Sequence, residues 1–525
     1  MRVTYPIDAV GQHGIVIDVK PHELAPNAWS DGRNVRARNG FIEKCLGEAS
    51  KMGTPPFAPY GIMPVVNSAS AYYWIAAGLE DVSAWDGASW TEITKSGATY
   101  GATADKNWTM TNFQGLPILN NGVDHPQVWT PVSLLQLLTD LANWNANWRC
   151  ASMRAFKQFL VAFDVTKSGT RYPRMVKWSH PAAIGNVPSS WDETDATKDA
   201  GEYELAETGG DVLDGVMLRD AMVIYKEDAV FGMQYVGGTK IMRFGRISDA
   251  PGILAKRCAV EFMLGNHVAL GTDDIYRHDG QSKVSIVEAK LRKWWFARIS
   301  SSHYRKSFVV VNPAYNEVWI CSPLDGATFP SHAIVWNWVD NTTTIRELNG
   351  VSAMALGVVT DTAADAWNND SGTWDADGQA WSESIYNPTS RRLFQARPSA
   401  VKIALADETN QFTASNMTAY IERVGLGIPF EKKGPPDIQS KKLVTAIYPR
   451  IEGTVGGVVQ VYVGSSDKPG ETPTYNDPVP FTIGTTEFIP TRRNGKLIAI
   501  KFLSNTDVEW RLSGYDIECS RVGRF

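Results

Sequence analysis

The sequence predicts an all-β protein, a β-propeller with an additional β-sandwich-like part formed by N- and C-terminal segments. The 525 residues include 44 Gly, 28 Pro and 56 aromatic residues (19 Trp, 18 Tyr, 19 Phe), a composition unlike that of a helical bundle. Short runs rich in Val, Ile, Tyr, Trp and Phe alternate with Gly, Asp, Asn and Pro, as in antiparallel strands. These runs recur as groups of four roughly every 45 to 60 residues, the spacing of propeller blades.

This recurrence divides the chain into three ranges. Residues 1–54 hold N-terminal strands that join the second β part, 55–405 form a propeller of about 5–6 blades, and 406–525 form the C-terminal β-sandwich-like part. The predicted propeller strands include Tyr72–Ala76, Ala221–Lys226, Phe231–Tyr235, His267–Gly271, Phe308–Val311 and Glu317–Cys321. The predicted C-terminal strands are Leu443–Ile451, Val458–Val463, Pro480–Ile483, Leu497–Phe502 and Glu509–Glu518.

Asp-Gly pairs mark the predicted hairpins. They occur at Asp86-Gly87, Asp279-Gly280 and Asp325-Gly326, with a longer relative ending at Asp377-Gly378. Asp-Gly supplies the two positive φ angles of a type I′ turn, so each pair predicts a strand-turn-strand unit. One short helix is predicted at Ser133–Trp144, where five leucines form an apolar stripe behind a possible Ser133 cap.

Composition excludes several classes of protein. No apolar run approaches the roughly 18 residues of a membrane-spanning helix, and the N-terminal residues lack a signal-peptide pattern. The five cysteines lie far apart and form no CxxC pair, so we expect reduced thiols rather than a zinc site or a disulfide framework. The net charge of −5 argues against tight nucleic-acid binding by bulk electrostatics.

Motifs for catalysis are missing from the sequence. It contains no G-x-S-x-G elbow, H-E-x-x-H helix, phosphate-binding P-loop or EF-hand loop, and the Asp-box of sialidase-like propellers has no match. We therefore expect no enzyme activity, cofactor or metal. Asp273, Asp274, His278 and Asp279 gather possible cation ligands within seven residues, although a solvated hairpin turn explains them better.

The most basic stretch runs from Lys290 to Lys306. Lys290, Arg292, Lys293 and Arg298 are interleaved with Trp294, Trp295 and Phe296. Basic groups neutralise phosphates and aromatic rings stack on bases, so the stretch is a candidate DNA contact. An outer strand or a subunit interface is the alternative interpretation.

Two segments interrupt the blade pattern. Trp367, Trp374 and Trp381 are spaced by seven within a turn-rich insertion near 362–382, and the pair Pro435-Pro436 precedes the C-terminal strands. Both segments are candidates for gate or partner-docking loops because their turn formers favour protrusion from the blades.

Several segments, taken in order, resemble the tail nozzle (tail hub, tail tubular) proteins of short-tailed bacteriophages. The main one is Tyr304–Pro323, followed by Ala333–Trp338. Further segments of the same kind are Leu24–Arg36 with Gly40–Lys44, Lys177–Ser179 with Trp191-Asp192, Tyr225–Glu227, Tyr235–Gly238, and Glu509–Ile517 running to Gly523–Phe525.

The resemblance implies a structural virion protein, assembled in the bacterial host cytoplasm. It implies a hexameric ring of propeller-bearing subunits below the portal and adaptor, which retains the genome, conducts double-stranded DNA during ejection and docks tail fibres or tailspikes. Two alternatives stay open: a propeller glycan hydrolase or depolymerase, recognisable by a central pocket with convergent carboxylates and a perturbed carboxyl pKa, and a generic soluble binding propeller.

Overall fold

The computed structural model describes residues 2–66, 72–130, 136–247, 251–358, 391–413, 415–429 and 434–523. Strands dominate these residues. The N-terminal strands are β1 (Arg2–Asp8), β2 (Asp31–Arg33), β3 (Val35–Arg38), β4 (Phe41–Lys44) and β5 (Glu48–Ser50).

The described residues contain seven four-stranded antiparallel sheets, here called blades one to seven. Blade one holds β6 (Gly61–Val66), β7 (Tyr72–Ala77), β8 (Val82–Trp85) and β9 (Trp90–Glu92); blade two holds β10 (Thr109–Phe113), β11 (Leu116–Asn120), β12 (Gln127–Val128) and β13 (Thr139–Asp140). Blade three holds β14 (Trp148–Phe156), β15 (Phe159–Lys167), β16 (Thr170–Trp178) and β17 (Gly201–Glu204); blade four holds β18 (Val212–Leu218), β19 (Ala221–Lys226), β20 (Val230–Gly237) and β21 (Ile241–Ile247).

The remaining blades follow the same meander. Blade five holds β22 (Ala259–Met263), β23 (Asn266–Leu270), β24 (Ile275–His278) and β25 (Lys283–Ser285); blade six holds β26 (Phe308–Asn312), β27 (Glu317–Ser322), β28 (His332–Asn337) and β29 (Thr342–Glu347). Blade seven holds β30 (Ala353–Gly357), β31 (Arg392–Arg397) and β32 (Lys402–Ala406), and its fourth strand is β5.

The blades close into a ring, which confirms the predicted propeller. The first strand of each blade contacts the first strand of the next, and β30 of blade seven contacts β6 of blade one. The prediction of five or six blades was too low. It missed that β5, about 300 residues before blade seven in sequence, completes that blade by pairing with β32.

A buried carboxylate fixes this closing strand. Glu48 of β5 is 4% exposed and accepts hydrogen bonds from Arg397 and Gln395 of β31 and from Asn349. Since β5 is only three residues long, these side-chain bonds add to the few that its backbone makes.

The second β part is a sandwich of two six-stranded sheets, as predicted. Its C-terminal strands are β33 (Ala419–Leu426), β34 (Lys441–Gly453), β35 (Val458–Ser466), β36 (Thr474–Tyr475), β37 (Val479–Thr482), β38 (Ile489–Gly495), β39 (Leu497–Ser504) and β40 (Trp510–Gly523). One sheet has the order β3-β4-β40-β34-β38 with β1 also on β40, and the other has β2-β33-β39-β35-β36 with β37 also on β35. Both chain ends therefore contribute to this part.

Side-chain alternation explains why these strands form a sandwich. In β35, Val459, Val461 and Val463 are buried while Gln460 and Tyr462 between them are partly exposed, the period of two expected for a sheet with one covered face. Across the interior, Trp29 packs against Phe502 of one sheet and Tyr515 of the other, at centroid distances of 6.3 and 6.1 Å.

Buried charges join the sandwich to the propeller. Arg36 of β3 pairs with Glu317 of β27 and with Asp407, which follows β32, and Arg346 of β29 also pairs with Asp407. All four side chains are at most 4% exposed. The Arg36 guanidinium also lies 3.7 Å from the ring centroid of Tyr315.

Helices are short in the described residues. The α-helix is α1 (Arg292–Phe296), and single 3₁₀ turns occur at Pro21–Glu23, Tyr304–Lys306, Pro313–Tyr315 and Pro398–Ala400. No helix in the described part of the chain is long and apolar enough to cross a membrane.

The predicted helix at Ser133–Trp144 is wrong over residues 136–144. These residues hold the short strand β13 followed by turns, while 131–135 lie outside the described residues. Its apolar residues serve two cores: Leu138 packs with blade one, and Leu141 and Trp144 pack with blade three. Leucine spacing here reflects packing between neighbouring blades rather than one helix face.

The Asp-Gly turns are only partly of the predicted type. At Asp325-Gly326 both φ angles are positive (53° and 80°), as a type I′ turn needs, although β27 and β28 are joined by a longer loop. At Asp86 and Asp279 only the glycine has positive φ. Instead, each Asp carboxylate accepts backbone N–H bonds from the second and third residues after it, an Asx turn.

Candidate functional site

The meander gives each blade two ends. The first-to-second and third-to-fourth strand connections lie at one end, here called the turn face. The second-to-third connections and the links between blades lie at the other end, here called the link face.

A cavity of about 400 Å³ opens at the link face, beside the propeller axis. Connections from five blades supply its lining, so we call it the axial cavity.

A cluster of cations lies at the base of the axial cavity. Arg154 of β14 makes a bidentate ion pair with Asp214 of β18, with both N–O distances at 2.7 Å. Asp214 also accepts the backbone N–H of Arg257 at 3.0 Å and is itself fully buried. The Arg257 side chain donates instead to the carbonyl of Ser352. Asp214 therefore pairs with the Arg154 guanidinium, while among the described residues the Arg257 guanidinium has only a neutral carbonyl as its hydrogen-bond acceptor.

Lys256 extends this cluster into the cavity. It lines the cavity, is half-buried, and its Nζ donates to the carbonyl of Ala151 at 3.2 Å. Burial and the neighbouring Arg257 and Arg154 lower the pKa of Lys256 to about 8, against the opposing effect of Asp214. Burial likewise lowers the pKa of Arg257 to about 10. Positive charge is thus in excess here.

A second cation of the lining, Arg149, has no carboxylate partner among its hydrogen bonds. Its Nε donates to the carbonyl of Val123 at 2.8 Å, and its Nη1 donates to the carbonyls of Ala146 and Trp148 at 2.8 and 2.7 Å. Carbonyl oxygens hold the guanidinium in place without cancelling its charge.

Other residues of the axial cavity lining are acidic. Arg171 of β16 donates to both carboxylate oxygens of Asp164, at 2.8 and 2.7 Å, and to Asp211 at 2.7 Å. Glu227 adds a third carboxylate to the lining. Burial raises the pKa of Asp164, because it outweighs the hydrogen bonds from Arg171 and the nearby charge of Lys256 and acts together with the Asp211 charge.

Most of the predicted basic stretch lies away from the axial cavity, between blades five and six beside the sandwich, and Tyr304 and Arg305 near its end line the cavity. Part of it forms α1 rather than an outer strand, and Trp295 is buried in the core. Asp18 accepts the backbone N–H groups of Lys293 and Trp294 at 2.7 and 3.0 Å, so the segment contacts the N-terminal part of the same chain.

Three of the four cations predicted as DNA contacts are engaged. Lys290 Nζ donates to the carbonyl of Asn341, Arg292 Nε donates to the carbonyl of Asp273, and Arg298 pairs with Asp325. Lys293 is exposed. The structure therefore spreads these cations over the joint between propeller and sandwich.

The predicted loop sites are described only in part. Trp367, Trp374 and Trp381 lie outside the described residues, in the connection between β30 and β31 of blade seven. Pro435 and Pro436 are exposed in the irregular segment before β34.

The candidate cation ligands of blade five, Asp273, Asp274, His278 and Asp279, do not form one metal-binding cluster. His278 is 4% exposed, and its Nε2 lies 2.6 Å from the hydroxyl of Tyr225, which lies 2.8 Å from Nδ1 of His267. His267 Nε2 in turn lies 2.6 Å from the carbonyl of Met217. The prediction of a solvated hairpin turn is therefore wrong for His278. Among the described residues, no group of three or more His, Cys, Asp or Glu side chains could hold a metal ion.

The turn face carries exposed apolar side chains. Leu264 is 88% exposed in the first turn of blade five, and Ile184 is 84% exposed in a connection of blade three. Val236 near the end of β20, Met263 at the end of β22 and Val339 between β28 and β29 are at least half exposed at the same end. Several strongly exposed apolar side chains at one end of a domain make that end a candidate interface.

No protein-family model matches the chain, and no curated protein matches it in sequence. Solved structures similar to it include the WD40 β-propeller domain of Doa1, with 8% identity and a TM-score of 0.38 over 69% of this chain and 95% of that one. The N-terminal domain of Nup159 has 8% identity and a TM-score of 0.36 over 75% and 98%. A fungal alcohol oxidase of the AA5 family has 8% identity and a TM-score of 0.40 over 83% and 93%.

Sequence reasoning missed the axial cavity. Its residues come from connections that lie far apart in sequence, so no local motif contains them. One signal was present. Arg154 interrupts the mostly apolar second half of β14, and Lys256-Arg257 directly precede β22. In a propeller, charges on or beside the first strands of blades lie near the axis.

Proposed function

We propose that this chain is a structural subunit of a short-tailed phage tail, the nozzle or hub. In this proposal it forms a hexameric ring below the portal and adaptor, retains and then conducts the genome, and docks tail fibres. The observation that carries the proposal is the two-part architecture, a closed propeller with both chain ends folded into one sandwich at its side. The resemblance noted in the sequence implies an architecture of this kind.

The segments that carry the resemblance also meet in space. Leu24–Arg36 includes β2 and the start of β3, which lie in different sheets of the sandwich. Glu509–Ile517 lies largely in β40. The longest segment, Tyr304–Pro323, includes β26 and β27 of blade six. The buried pair of Arg36 with Glu317 joins these two regions. This convergence supports the proposal.

Surface chemistry supports a subunit role as well. The exposed apolar side chains of the turn face suit contacts with a neighbouring virion protein, where apolar and aromatic anchors dominate the binding energy. The charge of −5 per chain would repel DNA phosphates at low salt and favours passage of the genome over tight binding.

Co-expression with the adaptor protein from the same phage genome tests the proposal. We expect the two proteins to co-purify as a complex that survives size-exclusion chromatography in physiological salt. An unrelated phage adaptor is the matched control and should not bind. Absence of the chain from purified virions, together with no adaptor binding, would contradict the proposal.

A glycan hydrolase is the second candidate, because one specific observation favours it. The axial cavity brings together Asp164, Asp211 and Glu227, and the pKa of Asp164 is raised, as a general acid requires. Against this role, Asp164 and Asp211 share the Arg171 guanidinium. Release of reducing sugar from host surface polysaccharide, abolished in Asp164→Asn, would establish it in place of the first candidate.

A further inference from the structure

Around Lys256, the axial cavity has more cations than carboxylates. Lys256 and Arg149 line it, Arg154 and Arg257 lie beside Lys256, and the carboxylates near Lys256 are Asp214 and Asp164, of which Asp164 is already held by Arg171. Asp214 already accepts hydrogen bonds from Arg154, Ser152 and two backbone N–H groups. It has little capacity left to neutralise Lys256.

Unneutralised cations in a partly buried site cost free energy, which an anion would recover. Lys256 shows this cost most directly, since it projects into the cavity and its one hydrogen bond goes to a neutral carbonyl. Arg305, exposed at the rim, adds a further positive charge to the entrance. The electrostatics around Lys256 therefore favour an anionic group.

The acidic residues of the lining offer acceptors for hydroxyl groups. Arg171 occupies both oxygens of Asp164 but only one oxygen of Asp211. Glu227 lines the cavity beside Asp211, and its backbone N–H donates to the Asp211 carbonyl. Carboxylate oxygens that lack a full set of donors bind sugar hydroxyls well.

Size and charge together define the ligand. A cavity of about 400 Å³ lies in the range of small-molecule sites, about 300 to 1,000 Å³, and is much larger than a single ion needs. We infer that the axial cavity binds a small polyhydroxylated anion of the sugar phosphate or sugar acid class. Its anionic group lies against Lys256 and Arg149, and its hydroxyl groups lie against Asp211 and Glu227. This inference is independent of the proposed virion role.

Isothermal titration calorimetry on the full chain tests the inference, with glucose 6-phosphate, sulfate and uncharged glucose as probes. We expect glucose 6-phosphate to bind more tightly than sulfate, and glucose not to bind at millimolar concentrations. Lys256→Met should weaken glucose 6-phosphate binding about ten-fold or more, as expected for loss of a charge-assisted contact. Arg305→Ala removes an exposed side chain without disturbing the fold and should weaken binding several-fold.

Lys240→Met, an exposed lysine in a turn-face connection of blade four, is the matched control and should leave the affinity unchanged. Binding should also weaken from pH 7 to pH 9 as Lys256 loses its proton, while Asp214 stays ionised and Arg154, Arg257 and the thiol of Cys150 keep their protonation. No binding of glucose 6-phosphate, equal binding of glucose, or unchanged affinity in both Lys256→Met and Arg305→Ala would overturn the inference.

Discussion

Arg36 of β3 and Glu317 of β27 form a buried bidentate ion pair between the sandwich and blade six. The pair does not stand alone. Asp407 bridges Arg36 and Arg346, Trp319 Nε1 donates to Glu317 at 2.9 Å, and Asn312 donates to Asp407 at 3.0 Å. This network links the N-terminal segment, blade six and blade seven, so it holds the two β parts in one arrangement.

Removing one partner of this pair is expected to be costly. Arg36→Met leaves Glu317 buried beside Asp407 without its main counter-charge, and we expect a loss of about 3 to 5 kcal/mol in the free energy of unfolding. Urea denaturation followed by tryptophan fluorescence measures it. Arg2→Met removes an exposed partner of Glu518 and should cost less than about 1 kcal/mol. Equal effects of the two substitutions would contradict this account of the joint.

The propeller closure gives a second prediction. Glu48→Ala leaves the guanidinium of Arg397, which is 11% exposed, without its carboxylate and weakens the attachment of β5. We expect a loss of about 2 to 4 kcal/mol and faster hydrogen exchange in β5 and β32 than in β27. Glu92→Ala in the exposed outer strand β9 serves as control. Uniform exchange in all blades after Glu48→Ala would argue against closure by β5.

Features built from residues close together in sequence could be predicted, and features built from distant residues could not. Alternation and flanking turns, as in β35, predicted β34, β35, β37, β39 and β40 of the sandwich within a few residues, whereas β33, β36 and β38 were not predicted. The blade count was not, because Glu48 and its partner Arg397 lie far apart in sequence. The axial cavity likewise depends on connections such as those of Lys256 and Asp211, whose proximity only ring closure determines.

In the buried chain His267–Tyr225–His278, the Tyr225 hydroxyl contacts both imidazoles. This chain predicts that the free energy of unfolding depends on pH. Burial, followed by the nearby His267, lowers the pKa of His278 to about 4 from an ordinary value near 6.5, so the folded state keeps His278 neutral. The unfolded state binds the proton more readily. Keeping His278 neutral therefore costs no stability above about pH 6.5. As the pH falls toward 4, the free energy of unfolding decreases by on the order of 3 kcal/mol.

Comparison with His278→Gln isolates this effect. The variant lacks the titrating group, so the difference in unfolding free energy between wild type and variant should narrow as the pH falls from 7 to 4. Denaturant titrations at matched ionic strength measure the difference. A gap that stays constant across this range would show that His278 titrates normally in the folded state.

Substitutions on the turn face are expected to prevent assembly without affecting folding. The double variant Ile184→Asp with Leu264→Asp should abolish ring assembly, because a charge on each exposed side chain opposes burial in a subunit contact. Its unfolding free energy should stay within about 0.5 kcal/mol of wild type, since both side chains are exposed in the single chain. Val455→Asp, at an equally exposed position in the sandwich, should assemble normally.

The most direct measurement is the mass of the purified full-length protein by native mass spectrometry, with negative-stain imaging of the same sample. The account predicts a six-subunit particle, visible as a ring with a central bore, since a conduit for the genome requires closed symmetry around an axis. A monomer at micromolar concentration that stays a monomer with the adaptor and with virion fractions would contradict the nozzle proposal.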